Sequence, residues 1–418
     1  MLALVAPGQG AQTPGFLRPW LDLPGVPARL AWWSATTGVD LVAMGTTADA
    51  DTIRDTAVAQ PLLVAAGLVA ASQLGQPTPP IAGRTGGPAS ADRGSGAGVG
   101  GAAGRAGGVG VATGHSVGEL TAAVVAGALG AEAALILVAE RGRAMAAAAQ
   151  AEPTGMTAIL GGDEAAVDAR LAELGLTAAN RNGAGQVVAA GASAALAALA
   201  ADPPAGARLR PLSVAGAFHT SYMAPARDRL ASLAGGVPVS DPTLHLISDA
   251  DGQLVSSGAD LIERLVAQVA APVRWDLCMR TLGELGVNTV VELPPAGTLT
   301  GLVRRQLPGV ETLALRTPDD LPAARALLAA HRESAPSEPA PAWRVVVAPL
   351  AGTFRPAPAQ PGDHVDAGTS VGMVVARRAQ EPVPAPYGGV LVEWLAEDGD
   401  PVGPGQPLAR LHPEGVPA

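Results

Sequence analysis

The chain has 418 residues, 48% of them hydrophobic, enough for one large domain with a substantial core and one or two smaller domains. Aromatic residues make up only 3%, so the core is built from small and aliphatic side chains. The net charge of −10 argues against a general nucleic-acid binder, which needs a basic face, and the single cysteine, Cys278, permits neither an internal disulfide nor a cysteine-rich zinc site.

The first residues, MLALVAPGQG, carry no basic leader and too short an apolar run for a signal peptide, which fits a cytoplasmic protein. Residues 2–6 have the composition of a short buried strand that ends at the Pro7-Gly8 turn. The Gly8-Gln9-Gly10-Ala11-Gln12 segment behind it is either a plain turn or a loop presenting donors to a pocket. Residues 58–74 form an apolar helical stretch, followed over 75–108 by a low-complexity Gly/Ala/Pro run that cannot bury enough surface to order itself. That run is expected to be a mobile surface insertion. Residues 109–113 have strand composition, 114–118 a turn, and a helical pattern starts at Glu119. The apolar stretch 120–139 is long enough to span a bilayer, but it is rich in alanine, contains Glu132 and is bracketed by Glu119, Glu140 and Arg141. We read it as one buried helix.

Residues 152–213 alternate short strands (MTAIL, QVVAAG, RLRPLSV) with two alanine-rich helices, the order of a small ferredoxin-like α+β subdomain. It is inserted in an α/β core of parallel-sheet type comprising residues 1–151 and 214–331. A Pro/Ser/Glu-rich linker follows at 332–342. Residues 343–418 then show short strands, many Pro-Gly turns and no long helix, as in a separate all-β barrel or sandwich.

Gly114-His115-Ser116-Val117-Gly118 is a GxSxG motif between a strand and a helix. Glycines around such a serine permit a sharp turn that lifts its hydroxyl clear of the sheet, and the helix behind aims N–H groups at a developing oxyanion. The bland alternative is a helix N-cap. A nucleophilic serine needs a base, and there are only 6 histidines. His115 lies within the motif, His245 in an apolar strand, His331 at the linker, and His364 and His412 in the C-terminal lobe. His219, in GAFHTSYM, remains. Arg141, in AERGRAM, either caps a helix C-terminus or offers its fork to a carboxylate.

PGQGAQ, GHSVGE, ERGRAM, NGAGQVVAAG, AFH and PVRW, in this order over roughly residues 1–330, resemble the malonyl-CoA:acyl-carrier-protein transacylases of bacterial fatty-acid synthesis and the related acyltransferase domains of polyketide synthases. The resemblance implies Ser116 as nucleophile and His219 as general acid/base. It implies the backbone N–H groups of Gln9 and Val117 as oxyanion hole and Arg141 as holder of the malonyl carboxylate. Asn182 and Gln12 match motif positions near the pocket. The histidine would be oriented by a backbone carbonyl from near Arg274, whose side chain is a weaker substrate-binding candidate. Phe218 resembles the malonyl-selecting type, because a phenyl ring leaves no room for an α-methyl group. The implied partners are malonyl-CoA and acyl carrier protein, without nucleic acid, membrane, metal or cofactor, and the chain is expected to act as a monomer. The alternatives are a polyketide-pathway malonyl acyltransferase and a serine esterase, for which an aspartate such as Asp202 would complete the order Ser…Asp…His.

The C-terminal lobe resembles biotinyl/lipoyl carrier domains, and its halves repeat one another, GDHVDAGTSV against GDPVGPGQPL. Such a domain displays an attachment lysine on the hairpin between the halves. Here Arg377 and Arg378 stand near that place, and all 27 basic side chains of the protein are arginine. A guanidinium stays protonated and is no nucleophile toward an acyl adenylate. The lobe is therefore expected to carry neither biotin nor lipoate and to serve docking or stabilisation. Intact-mass measurement on protein from its native host should show neither increment, and removal of residues 333–418 should leave malonyl transfer in vitro largely intact.

Overall fold

The computed structural model describes residues 1–76, 108–333, 344–377 and 379–413. They fall into two compact units, Met1–Ala335 and Pro336–Ala418. The first strand, β1 (Leu2–Ala6), is buried along its whole length, as its unbroken apolar run requires of a central parallel strand. β2 (Val111–Gly114) and β8 (Thr289–Glu292) flank it in parallel, with Ala6 opposite Gly114 and Val5 opposite Glu292. β7 (His245–Ile247) and β9 (Glu311–Ala314) extend these edges to a five-stranded sheet of order β7-β2-β1-β8-β9. The chain leaves β1 toward β2 but leaves β8 toward β9. The crevice beyond the carboxyl ends of β1 and β8 is therefore a topological switch point, where α/β sheets bind ligands.

A helix over Thr56–Gln73 is apolar on every side and lies in the core. Among the described residues it alone is long and apolar enough to cross a membrane, and 78% of that window is buried inside the protein. The stretch read as one helix over 120–139 is two, Gly118–Val125 and Ala131–Ala149. Gly127 takes φ 72°, its N–H bonds Val124 O and the Ala128 N–H bonds Ala123 O. This paired closure is a Schellman stop, and only a residue tolerant of left-handed backbone supplies it cheaply. The low-complexity run lies outside the described residues except at Gly75, Gln76 and Gly108, as does most of the 332–342 linker. Arg332 belongs to the last helix of the first unit, Leu321–Glu333.

The inserted subdomain has strands β3 (Thr154–Gly161), β4 (Thr177–Gly183), β5 (Gln186–Ala192) and β6 (Ala207–Pro211), antiparallel in the order β4-β5-β3-β6. Helices Glu164–Glu173 and Ser193–Ala201 connect them, giving the βαββαβ order of a ferredoxin-like unit. β4 is the strand that the pattern of apolar residues does not announce. Its TAANRNG sequence is polar, and its register against β5 shifts twice. The outer edge of β4 is tied to the core instead, through Arg181 N–H to Val273 O and Val273 N–H to Ala179 O.

The C-terminal unit is two four-stranded antiparallel sheets around an apolar centre that includes Phe354, Val374, Leu391 and Leu411. Its strands are β10 (Arg344–Val347), β11 (Gly352–Pro356), β12 (His364–Val365), β13 (Ser370–Ala376), β14 (Ala379–Pro384), β15 (Gly389–Trp394), β16 (Pro401–Val402) and β17 (Pro407–Pro413). The sheets run β10-β17-β15-β12 and β14-β13-β11-β16. Moving every strand on by half the set turns one order into the other, so the sequence repeat is a structural one. Arg377 sits in the β13–β14 turn, and Arg378 lies outside the described residues.

The β1 end and the helix Gly118–Val125 approach so closely that a Cβ on Gly118 would stand 2.2 Å from Ala6 O. Gly118→Ala must push backbone apart, and overpacking of this kind costs about 1–3 kcal/mol. Thermal denaturation should show the variant melting below the parent protein.

Candidate active site

The motif 114–118 carries the chain from β2 directly into the helix Gly118–Val125. Ser116 sits at φ 54°, in the left-handed region, and His219 at φ 61°. Gly114 is needed on the inside of the turn, since a Cβ there would lie 2.1 Å from the Gly118 carbonyl carbon. The Ser116 N–H donates to Asp249 Oδ2 at 2.5 Å, which pins the strained residue.

Ser116 Oγ lies 2.8 Å from His219 Nε2. The other ring nitrogen, Nδ1, is 2.9 Å from the backbone oxygen of Gln268. A carbonyl only accepts, so Nδ1 carries the proton and the Nε2 lone pair faces the serine. Gln268 ends the helix Gly258–Gln268, where the last carbonyls lack helical partners and are free for such a bond. Burial, and next the Arg141 charge, hold the His219 pKa down to about 3 from its ordinary 6.5. The imidazole is thus unprotonated at neutral pH, with its Nε2 lone pair free to accept a proton.

Arg141 is buried in the helix Ala131–Ala149. Its Nη1 donates to Gln60 Oε1 at 2.7 Å, and Nη2 donates to Gln268 Oε1 at 2.7 Å and to Ser116 Oγ at 3.3 Å. Burial lowers its pKa to about 10 against the pull of Asp249 and Glu119, so it stays charged at neutral pH. An arginine whose fork opens beside the serine hydroxyl is doing something other than capping a helix.

A cavity over Ser116 is lined by Gly8, Gln9, Gly10 and Ala11 behind β1, by Asn180 and Asn182 on β4, and by Phe218 and His219. Among the described residues, no other backbone group accepts from the N–H of Gln9 or Val117. Asn182 Oδ1 stands 2.9 Å from His115 Nε2, and both residues line the cavity. No group of three or more His, Cys, Asp or Glu among the described residues could hold a metal ion.

Four expectations need correction. The carbonyl that orients His219 belongs to Gln268, not to the neighbourhood of Arg274. Arg274 lines a separate cavity, where its Nε and Nη2 are bound to Asp276 at 2.9 and 2.8 Å. Gln12 does not reach the cavity over Ser116; its Oε1 accepts from Gly10 N–H and its Nε2 donates to Ile53 O, so it shapes the loop that presents Gln9. Asp202, the triad candidate of the esterase reading, is exposed and paired with Arg170. Sequence reasoning missed Gln60, Gln268 and Asp249. Gln60 had a signal, as the lone long polar side chain amid the apolar run of residues 57–71. Gln268 and Asp249 are placed by tertiary packing.

Residues 104–327 match the family described as "Acyl transferase domain", and this class accounts for the α/β sheet and the serine elbow on it. Over 321 residues the chain is 49% identical to the malonyl CoA-acyl carrier protein transacylase of Mycobacterium bovis, covering 77% of this chain and 98% of that protein. The chain belongs to the malonyl-CoA:acyl-carrier-protein transacylase family. The crystal structure of MCAT from Mycobacterium tuberculosis is similar with a TM-score of 0.70 at 48% identity, over 78% of this chain and 99% of that one. A malonyl-transacylase solved in complex with its type II PKS acyl-carrier protein is similar with a TM-score of 0.66 at 29% identity, over 78% and 99%. Residues 344–411 match the family described as "Biotin-requiring enzyme", which agrees with the two-sheet C-terminal unit.

A serine activated by an already neutral histidine should react with a phosphonofluoridate probe at a rate that shows no step at pH 6.5, the ordinary histidine value. Ser116→Ala should abolish labelling. An inflection at 6.5 in the labelling rate would show that His219 titrates as an exposed histidine.

Proposed function

We propose that the protein moves a malonyl group from malonyl-CoA to the phosphopantetheine thiol of an acyl carrier protein, through a malonyl ester on Ser116, in the service of fatty-acid synthesis. The observation that carries this reading is the buried, charged Arg141 with Nη2 3.3 Å from Ser116 Oγ. An acyl group bound to that oxygen and ending in a carboxylate meets a guanidinium fork. The relatives' name, malonyl CoA-acyl carrier protein transacylase, supports the same substrate pair.

In the first half-reaction Ser116 Oγ attacks the thioester carbonyl while its proton passes to His219 Nε2, already 2.8 Å away. The oxyanion is met by the backbone N–H groups of Gln9 and Val117. Loss of a donor of this kind typically costs about 3 kcal/mol. The C–S bond breaks and the coenzyme A sulfur takes the proton from His219. Burial disfavours the imidazolium, so the proton is returned readily. The carrier thiol then attacks the serine ester by the reverse sequence: His219 accepts the thiol proton and passes it back to Ser116 Oγ. The Gln268 carbonyl holds the ring in place throughout, in the position an aspartate occupies in a Ser-His-Asp triad.

Phe218 lines the cavity and is packed to 6% exposure, which leaves an α-methyl branch no room to displace it. Phe218→Ser is expected to raise methylmalonyl relative to malonyl transfer. Arg141→Ala should lower malonyl-Ser116 formation about 10- to 100-fold more than acetyl-Ser116 formation, the range of one charge-assisted pair. Intact mass after brief exposure to each coenzyme A ester measures both. Equal losses for the two acyl groups would reduce Arg141 to a structural role.

A further inference from the structure

Two buried acids stand behind the nucleophile and take no part in the steps above. Glu119 is in the first turn of the elbow helix, and Asp249 follows β7; they are 4% and 0% exposed. Glu119 Oε1 accepts the Asp249 N–H at 2.7 Å. The Gln268 amide nitrogen donates to both, at 2.9 Å to Glu119 Oε2 and at 2.8 and 3.0 Å to the Asp249 oxygens. The nearby cation, Arg141, spends its fork on Gln60, Gln268 and Ser116 and makes no direct contact with either acid. Two buried carboxyl groups that share one amide donor, with no cation in direct contact, cannot both stay ionised.

We propose that Glu119 and Asp249 share a single proton, carried by Glu119, and that this singly charged pair positions the nucleophile, the base and the substrate fork together through Ser116 N–H and the Gln268 amide. The donor pattern assigns the proton. Asp249 takes three N–H contacts, one from Ser116 and two from the Gln268 amide nitrogen, against two for Glu119, so the anion sits on Asp249. Burial and the Asp249 charge push Glu119 well above the usual carboxylate range. The other titratable groups facing the pair are His115 and Cys278, and burial keeps the Cys278 thiol protonated.

The consequence is orientation. With its NH₂ end on the acids, Gln268 must present Oε1 to Arg141. A flipped amide would set NH₂ against a guanidinium. The same residue supplies the carbonyl that fixes the His219 tautomer. Glu119 and Asp249 are therefore positioning residues, one step removed from the reacting atoms.

The inference rests on the acyl-transfer reading of Ser116, and the test separates the two. Infrared difference spectroscopy on the full chain, comparing the parent protein with Glu119→Gln at neutral pH, should show a protonated carboxyl band that the variant lacks. In malonyl-CoA single turnovers, Asp249→Asn should lower the rate of malonyl-Ser116 formation about 10- to 100-fold with KM little changed, because an anion's hydrogen bonds are lost. Glu119→Gln, a neutral donor of the same shape, should lower it at least several-fold less. Absence of the band in the parent protein, or equal losses in the two folded variants, overturns the shared proton. If Asp249→Asn fails to fold, the band alone decides. A parent protein that shows the band but forms no malonyl-Ser116 overturns the transfer reading and leaves the pair standing.

Discussion

Everything at this site depends on one strained turn. Ser116 holds φ 54°, a conformation that costs an L-residue about 1–2 kcal/mol. The turn exists because Gly114 and Gly118 let the end of β2, the end of β1 and the first turn of the elbow helix meet at distances that exclude a Cβ. The strain is held by a hydrogen bond from the Ser116 backbone to Asp249, and its effect is to lift the hydroxyl into reach of His219. Every other group at the site is arranged around where that oxygen ends up.

Burial then sets the chemistry. A histidine, an arginine and two carboxyl groups are each less than a tenth exposed within one cluster. In water such a set would titrate across the whole pH range. Here desolvation removes the charge from His219, whereas Arg141 keeps its charge against desolvation because the acids help. Gln268 joins the set at the C-terminal end of its helix, through both ends of its amide and its backbone oxygen. Neutral connectors suit a buried site better than further charges, because they fix direction without adding a desolvation cost.

The second unit is a different kind of object. Two half-repeats exchange strands so that each half completes the other's sheet, with β11 pairing β16 and β15 pairing β12. A short chain gains a closed core this way, centred on Phe354 and its aliphatic neighbours. The turn between β13 and β14 presents Arg377.

The sequence by itself determined much of this. Glycine spacing announced the elbow, the short apolar run of Leu2–Ala6 announced the central strand, and elimination among 6 histidines pointed to His219. The absence of lysine is likewise a property of composition alone. Local pattern failed where long-range contact decides. The stop at Gly127 is the exception, a local glycine signal within a stretch whose alanine content reads as continuous helix. Polar β4 becomes a strand only because β5 and the Val273 segment pair with its two edges. The partner of His219 is a main-chain oxygen, which every residue possesses and no side-chain motif can reveal. Asp249 and Gln60 are separated from Ser116 by 133 and 56 positions, so only the closed sheet and the packed helices bring them to it. Residue types fixed what chemistry was available, and the tertiary structure decided which groups lost water and therefore what protonation state each one holds.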